Sequence, residues 1–122
     1  MILADASIWI DFFRSRKPEL RKQLENNRIV MHPFLVAELA LGSLHDRSRT
    51  LAKLDHMPQL RVADLRDVRR MIEARSLYSQ GIGLTEAHLV ASCLASPGTL
   101  LWTSDARLRK VANSLGISAD LS

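Results

Sequence analysis

Short apolar runs, each too short to be a helix, alternate with longer amphipathic stretches along this chain of 122 residues. The clearest are Met1–Ala4, Arg28–Met31 and Thr99–Trp102. Continuous apolarity over so few residues marks a strand buried on both faces, and strands separated by helical patterns imply a parallel sheet covered on both sides. Right-handed crossovers then bring the carboxyl ends of all strands to one edge. Weaker runs at Leu60–Ala63 and Gly116–Ser118 are expected to add marginal strands. The expected fold is α/β, a three-layer α/β/α sandwich with a mostly parallel central sheet, in a single domain over residues 1–122.

The intervening stretches read as helices. Ile8, Trp9, Phe12 and Phe13 recur at helical spacing in Ser7–Arg14, with Ser7 as the expected cap. Pro18 opens a second helix to Asn26, and Pro33 a third over Phe34–Leu44. In that third helix Glu38 is the only acid, and a carboxylate in such apolar company is costly to bury without a partner. Asp46–Leu54 has a basic face. Asp64 is expected to cap Leu65–Ser79, and Gly81 to end it. Leu84–Ala95 is largely apolar, and Ser96-Pro97-Gly98 breaks it. Asp105–Ser114 is the last helix, with Leu108, Val111 and Ala112 inward.

Composition narrows the function classes. The single cysteine, Cys93, sits among Leu89, Val90 and Leu94, which fits a buried thiol and excludes an internal disulfide or a paired-cysteine metal site. No apolar run approaches a membrane span, and Met1–Asp5 lacks the basic start of a signal peptide, so a cytoplasmic location is expected. Seventeen Lys and Arg against thirteen acids leave a net charge of +4, a mild bias toward anionic partners. The basic clusters at Arg14–Lys22 and Arg66–Arg75 read as solvated helix faces.

The acids are more telling. Asp5 ends the first strand, Glu38 lies in the helix after the second, Glu86 opens the helix before the next long strand, and Asp105 follows that strand. On a parallel sheet these positions face one edge, where ligands collect. Spacing alone leaves open whether the acids converge there or scatter over the surface. If they converge, mutual repulsion would raise their pKa values, and a hard divalent cation would relieve it. With no His or Cys cluster competing, that cation is Mg²⁺ or Mn²⁺ rather than zinc. Metals held by carboxylates suit the activation of water against a phosphodiester.

The order of these residues carries a resemblance. Met1-Ile2-Leu3-Ala4-Asp5-Ala6-Ser7, Val36-Ala37-Glu38-Leu39, Gly83-Leu84-Thr85-Glu86-Ala87-His88-Leu89 and Leu101-Trp102-Thr103-Ser104-Asp105-Ala106-Arg107-Leu108 run from end to end of the chain. Each motif is weak alone. Together, in this order, they make the chain resemble a PIN-domain ribonuclease of the VapC type, the toxin of a bacterial type II toxin–antitoxin pair. The resemblance implies Mg²⁺- or Mn²⁺-dependent cleavage of RNA, homodimerisation, and inhibition by a cognate VapB-type antitoxin. It assigns the catalytic and metal-holding acids to Asp5, Glu38, Glu86 and Asp105. The third acid of the family is most often Asp, and here Glu86 sets its carboxylate one methylene further out.

Ser7 and Thr103 are candidates to orient those carboxylates; their plainer readings, a helix cap and a strand-end hydroxyl, stand beside that one. His88 is two residues past Glu86 and so points to another helix face, which favours a packed histidine over a catalytic one. Trp102 alternates away from Thr103 and is expected in the core. Competing readings are a non-catalytic PIN-like RNA- or protein-binding module and a receiver-like phosphoacceptor. The latter would want paired acids after the first strand and a Lys after the last long one, whereas Asp5 stands alone and Lys110 comes late.

Overall fold

The computed structural model describes residues 1–121. The elements run β1 (Ile2–Ala4), α1 (Ala6–Phe13), α2 (Pro18–Glu25), β2 (Ile29–Val30), α3 (Pro33–Ala40), α4 (Arg47–Asp55), α5 (Leu65–Ala74), α6 (Leu84–Ala95), β3 (Leu100–Trp102) and α7 (Ala106–Ser114). The sheet order is β2-β1-β3 and both pairings are parallel. Ile2 stands opposite Ile29 and Leu100, Leu3 opposite Val30 and Leu101, and Ala4 opposite Trp102.

Neighbouring strand residues point to opposite faces. Leu3 and Ala4 are both fully buried, and so are Leu101 and Trp102. Both faces of the sheet are therefore covered by helices, which gives the expected three layers. The core gathers Ile8, Trp9, Leu20, Met31, Leu35, Leu89, Val90 and Leu108 around these strands. Cys93 is buried and burial pushes its thiol up to about 12, an inert structural group. Trp102 lies in the core as expected, while Phe13 at the end of α1 is 38% exposed.

Two expected strands do not form. Just before Leu60–Ala63 the chain makes a single bridge, Gln59 to Met31 beyond the end of β2, and then leaves for the α5 cap. Only two backbone bonds hold it, Met31 N–H to Pro58 and Leu60 N–H to Met31. Gly116–Ser118 likewise makes one bridge, Leu101 to Ser118, on the other edge.

Several helix ends also differ from expectation. Asp5, not Ser7, caps α1: β1 ends at Ala4 as expected, Asp5 is still extended, and the helix starts directly after it at Ala6, two residues before a Ser7 cap would start it. The α5 helix stops at Ala74 rather than near Ser79. Ser76 takes φ +53°, Ser76 N–H bonds to Glu73 and Leu77 N–H to Ile72, which closes the last turn well before Gly81. A left-handed serine carries no glycine signal in sequence. The α3 helix ends at Ala40, short of Leu44.

Candidate active site

Asp5 is the best-held side chain at the carboxyl edge of the sheet. Its N–H bonds to the Trp102 carbonyl across the sheet, and its Oδ1 accepts from Ile8 N–H as the α1 cap. Two hydroxyls complete the arrangement. Ser7 Oγ donates to Oδ1 and Thr103 Oγ1 donates to Oδ2. Each hydroxyl in turn accepts a backbone N–H from the turn after β3, Ser104 onto Ser7 at 3.1 Å and Asp105 onto Thr103 at 3.0 Å. An ionised carboxylate can only accept, so both hydroxyl protons go to Asp5. Burial raises the Asp5 carboxyl above its usual range; the Ser7, Thr103 and backbone bonds act in the opposite direction. The expected like-charge repulsion is not a cause here. Among the described residues no cation pairs with Asp5.

The other three acids line the same pocket, a cavity of about 270 Å³ that Asp5, Glu38, Glu86 and Asp105 share with Ser7 and Thr85. Asp105 caps α7 through Arg107 N–H at 2.8 Å and Leu108 N–H at 3.1 Å. Glu86 is the third residue of α6, and its carboxylate folds back over Gly83, where a Cβ would meet Oε2 at 3.0 Å. Glu38 is exposed, so the expected cost of burying it does not arise; among the described residues its carboxylate accepts only from Thr85 Oγ1, at 3.5 Å. Asp5 and Asp105 are thus turned toward backbone donors at their helix starts. Among the described residues no three His, Cys, Asp or Glu side chains are drawn into a metal-holding cluster as they stand. A larger groove of about 730 Å³ between α5 and α6 offers no such convergence: Asp64 caps α5, and Asp67 pairs with Arg70.

Behind the pocket lies a polar group to which sequence reasoning gave no role. His32 is fully buried and caps α3, with Nδ1 accepting from Phe34 N–H at 3.0 Å. That acceptor role places the proton on Nε2, which donates to Ser92 Oγ of α6 at 3.0 Å. Ser92 then donates to the Arg61 carbonyl at 2.7 Å. The chain of bonds ties the start of α3, which carries Glu38, to the middle of α6, which carries Glu86. Burial first, and His88 second, lower the His32 pKa to about 4. His88 is packed rather than catalytic in its setting: it is 3% exposed, 4.3 Å from the Phe34 ring, outside the pocket lining. A histidine before a helix-opening proline was the available signal for His32, since a neutral imidazole can cap as a serine does.

The PIN domain family model matches residues 2–114 of the chain. The chain belongs to the PIN domain family. Ribonuclease VapC32 of Mycobacterium tuberculosis, in strain H37Rv and in strain CDC 1551, is 34% identical to this PIN domain over 118 residues. That match covers 97% of this chain and 95% of the relative. Among solved structures, PAE2754 from Pyrobaculum aerophilum superposes with a TM-score of 0.63 at 20% identity, covering 89% of this chain and 82% of that one. At that identity the likeness shows the fold alone. No helix of this PIN domain, among the described residues, is long and apolar enough to cross a membrane.

Proposed function

We propose that this PIN domain is a single-domain, metal-dependent endoribonuclease acting in the cytoplasm as the toxin of a toxin–antitoxin pair. The observation that carries the reading is the pocket itself: four carboxylates from four elements line one cavity at the strand ends, with no Lys or Arg in its lining. The relationship to a ribonuclease supports the same reading. We assign Asp5, Glu38, Glu86 and Asp105 as the metal-holding and catalytic acids.

The donor set fits a hard divalent cation. All the pocket's polar lining groups are carboxylates or hydroxyls, and Asp5 is a buried carboxylate whose charge no described cation offsets. When bound, Mg²⁺ or Mn²⁺ would supply Lewis-acid polarisation of a phosphodiester and a water nucleophile at neutral pH. The protein's own part is orientation. Ser7 and Thr103 hold the Asp5 carboxylate in one rotamer and favour its ionised form. Asp105, turned by its capping bonds, and Glu86, at the start of α6, present oxygens from the neighbouring walls. Glu38 reaches the rim from solvent. We further propose that a VapB-type antitoxin inhibits this site and that the protein is a homodimer.

The test is cleavage of single-stranded RNA by purified, antitoxin-free protein. Cleavage with Mg²⁺ or Mn²⁺ that EDTA abolishes, and that Asp5→Asn lacks, is expected. Undiminished cleavage in EDTA would overturn the metal assignment, and no cleavage under any metal would leave only a binding module. Expression without a partner should arrest bacterial growth; harmless expression of the intact protein would overturn the toxin assignment.

A further inference from the structure

A pocket of four carboxylates repels the polyanion it is proposed to cut, so some nearby cation has to hold the strand against it. The early basic cluster is poorly placed for this. Asp5 caps one end of α1 and Arg14 lies at the other, a helix of 8 residues away, or about 12 Å. Arg61 and Arg75 line the larger groove between α5 and α6, and no arginine of α5 lines the acid pocket. Two arginines remain beside Asp105. Arg109 is engaged, donating to the Thr103 carbonyl at 3.0 Å. Arg107 is exposed, and its guanidinium makes no hydrogen bond or ion pair with any described residue.

Arg107 is nevertheless well placed. Its stem lies against Gly81, in the turn that leads into α6 and Glu86. A Cβ at Gly81 would stand 2.7 Å from Arg107 Cδ and 3.2 Å from Nε and Nη1, so any other residue there would move the Arg107 side chain off its present path. Gly81 also adopts φ +79°, a conformation that other residues rarely take. The backbone N–H of Arg107 is one of the two that Asp105 Oδ1 accepts. Arg107 therefore spans the two walls that carry Asp105 and Glu86, with its donors free.

We infer that Arg107 holds an RNA phosphate at the edge of the acid pocket, with Gly81 as the platform that keeps the guanidinium extended. The inference rests on the ribonuclease reading. A planar guanidinium with unused donors suits a phosphate and carries no base preference. The substrate contact is thus to the backbone of a single strand, next to the bond that is cut.

The experiment measures affinity for a single-stranded RNA oligonucleotide as a function of KCl, in an Asp5→Asn background so that binding is read without cleavage. Arg107→Ala, Arg107→Met and Arg107→Lys are compared, with melting curves to confirm folding. Loss of one phosphate contact should flatten the log–log salt dependence by about 0.7. Arg107→Ala and Arg107→Met should both show that flattening and bind several-fold more weakly at low salt, while Arg107→Lys keeps the parent slope. Arg107→Met preserves the stem over Gly81 without the charge. If it binds with the parent's slope and affinity, Arg107 is a packing residue and the inference fails while the ribonuclease reading stands. If the parent itself shows no salt-dependent RNA binding, the ribonuclease reading fails and the inference with it.

Discussion

Asp5 and Glu38 line the same pocket, yet their surroundings have little in common. Asp5 is buried, caps a helix, and receives two hydroxyl protons whose oxygens are themselves held by the turn after β3. Glu38 is exposed, and its one side-chain hydrogen bond among the described residues is from Thr85, at 3.5 Å. The strand-end half of the pocket is built rigidly in place. The helix half has freedom at its carboxylates and rigidity one layer behind, where His32 and Ser92 pin α3 to α6. Strand ends leave backbone donors that can orient an acid directly, whereas a glutamate more than a turn into a helix has none, so its placement depends on how the helices dock.

This contrast can be broken most forcefully at Asp5. Asp5→Asn should lower metal-dependent cleavage by more than ~100-fold, beyond the effect of altering a group that merely orients a ligand. The fold should persist, because Asn caps a helix as well as Asp does. Its stability relative to wild type has a definite sign. A carboxyl whose pKa is raised on folding contributes stability below its unfolded value, and that contribution is lost as pH rises through the folded value. Without metal, wild type should therefore fall behind Asp5→Asn as pH climbs above the ordinary carboxyl range, and then level off. Wild type gaining on the variant as pH rises would mean that Asp5 is structurally paired.

On the looser side, Glu86→Gln should lose most cleavage while Glu86→Asp keeps a measurable rate, because reach is adjustable there and charge is not. Equal rates for Glu86→Gln and wild type would leave Glu86 as a helix-start charge worth about 0.3–1 kcal/mol. Thr103→Val should cost ~10–100-fold in activity or metal affinity, through a freed Asp5 rotamer. Thr85→Val, at the looser acid, should cost far less in the same assay.

The smallest effect on chemistry and the clearest on stability belongs to His32. Its folded pKa of about 4 lies below the ordinary 6.5, so its neutral form contributes stability above pH 6.5 that is lost as pH falls toward 4. That acid-side loss should approach ~3 kcal/mol. In His32→Asn, which can still cap α3 but cannot reach Ser92 in the same way, the loss over this pH range should largely vanish. A melting series from pH 7 to about 4 on both proteins checks it; identical slopes would show that another group titrates.

Much of this was legible in the residues themselves. Leu84–Ala95 formed over the expected span, and β1 and β3 ended at Ala4 and Trp102 as expected. The signals were local there: apolar runs bounded by Pro, Gly and Asp. The misses have physical causes too. Leu60–Ala63 has strand-like composition but meets the sheet at one residue, and pairing is a tertiary fact. Ser76 ends α5 in a conformation that glycine usually marks, so Gly81 drew the expectation instead. Ser7 was legible as a capping residue, but the two-residue shift that gives the cap to Asp5 was not. His32 has a partner 60 positions away in Ser92, and nothing near it in sequence announces that bond.

The most direct test of the four-acid pocket is a Mg²⁺ melting titration of wild type beside Asp5→Asn, Glu38→Gln, Glu86→Gln and Asp105→Asn. A ligand that binds only the folded state stabilises it by about 2.7 kcal/mol at a hundred times its Kd. Wild type should gain stability with added Mg²⁺, and each variant should lose most of that gain, Asp5→Asn the most completely. Variants that all keep the wild-type gain would contradict a metal held by these four carboxylates.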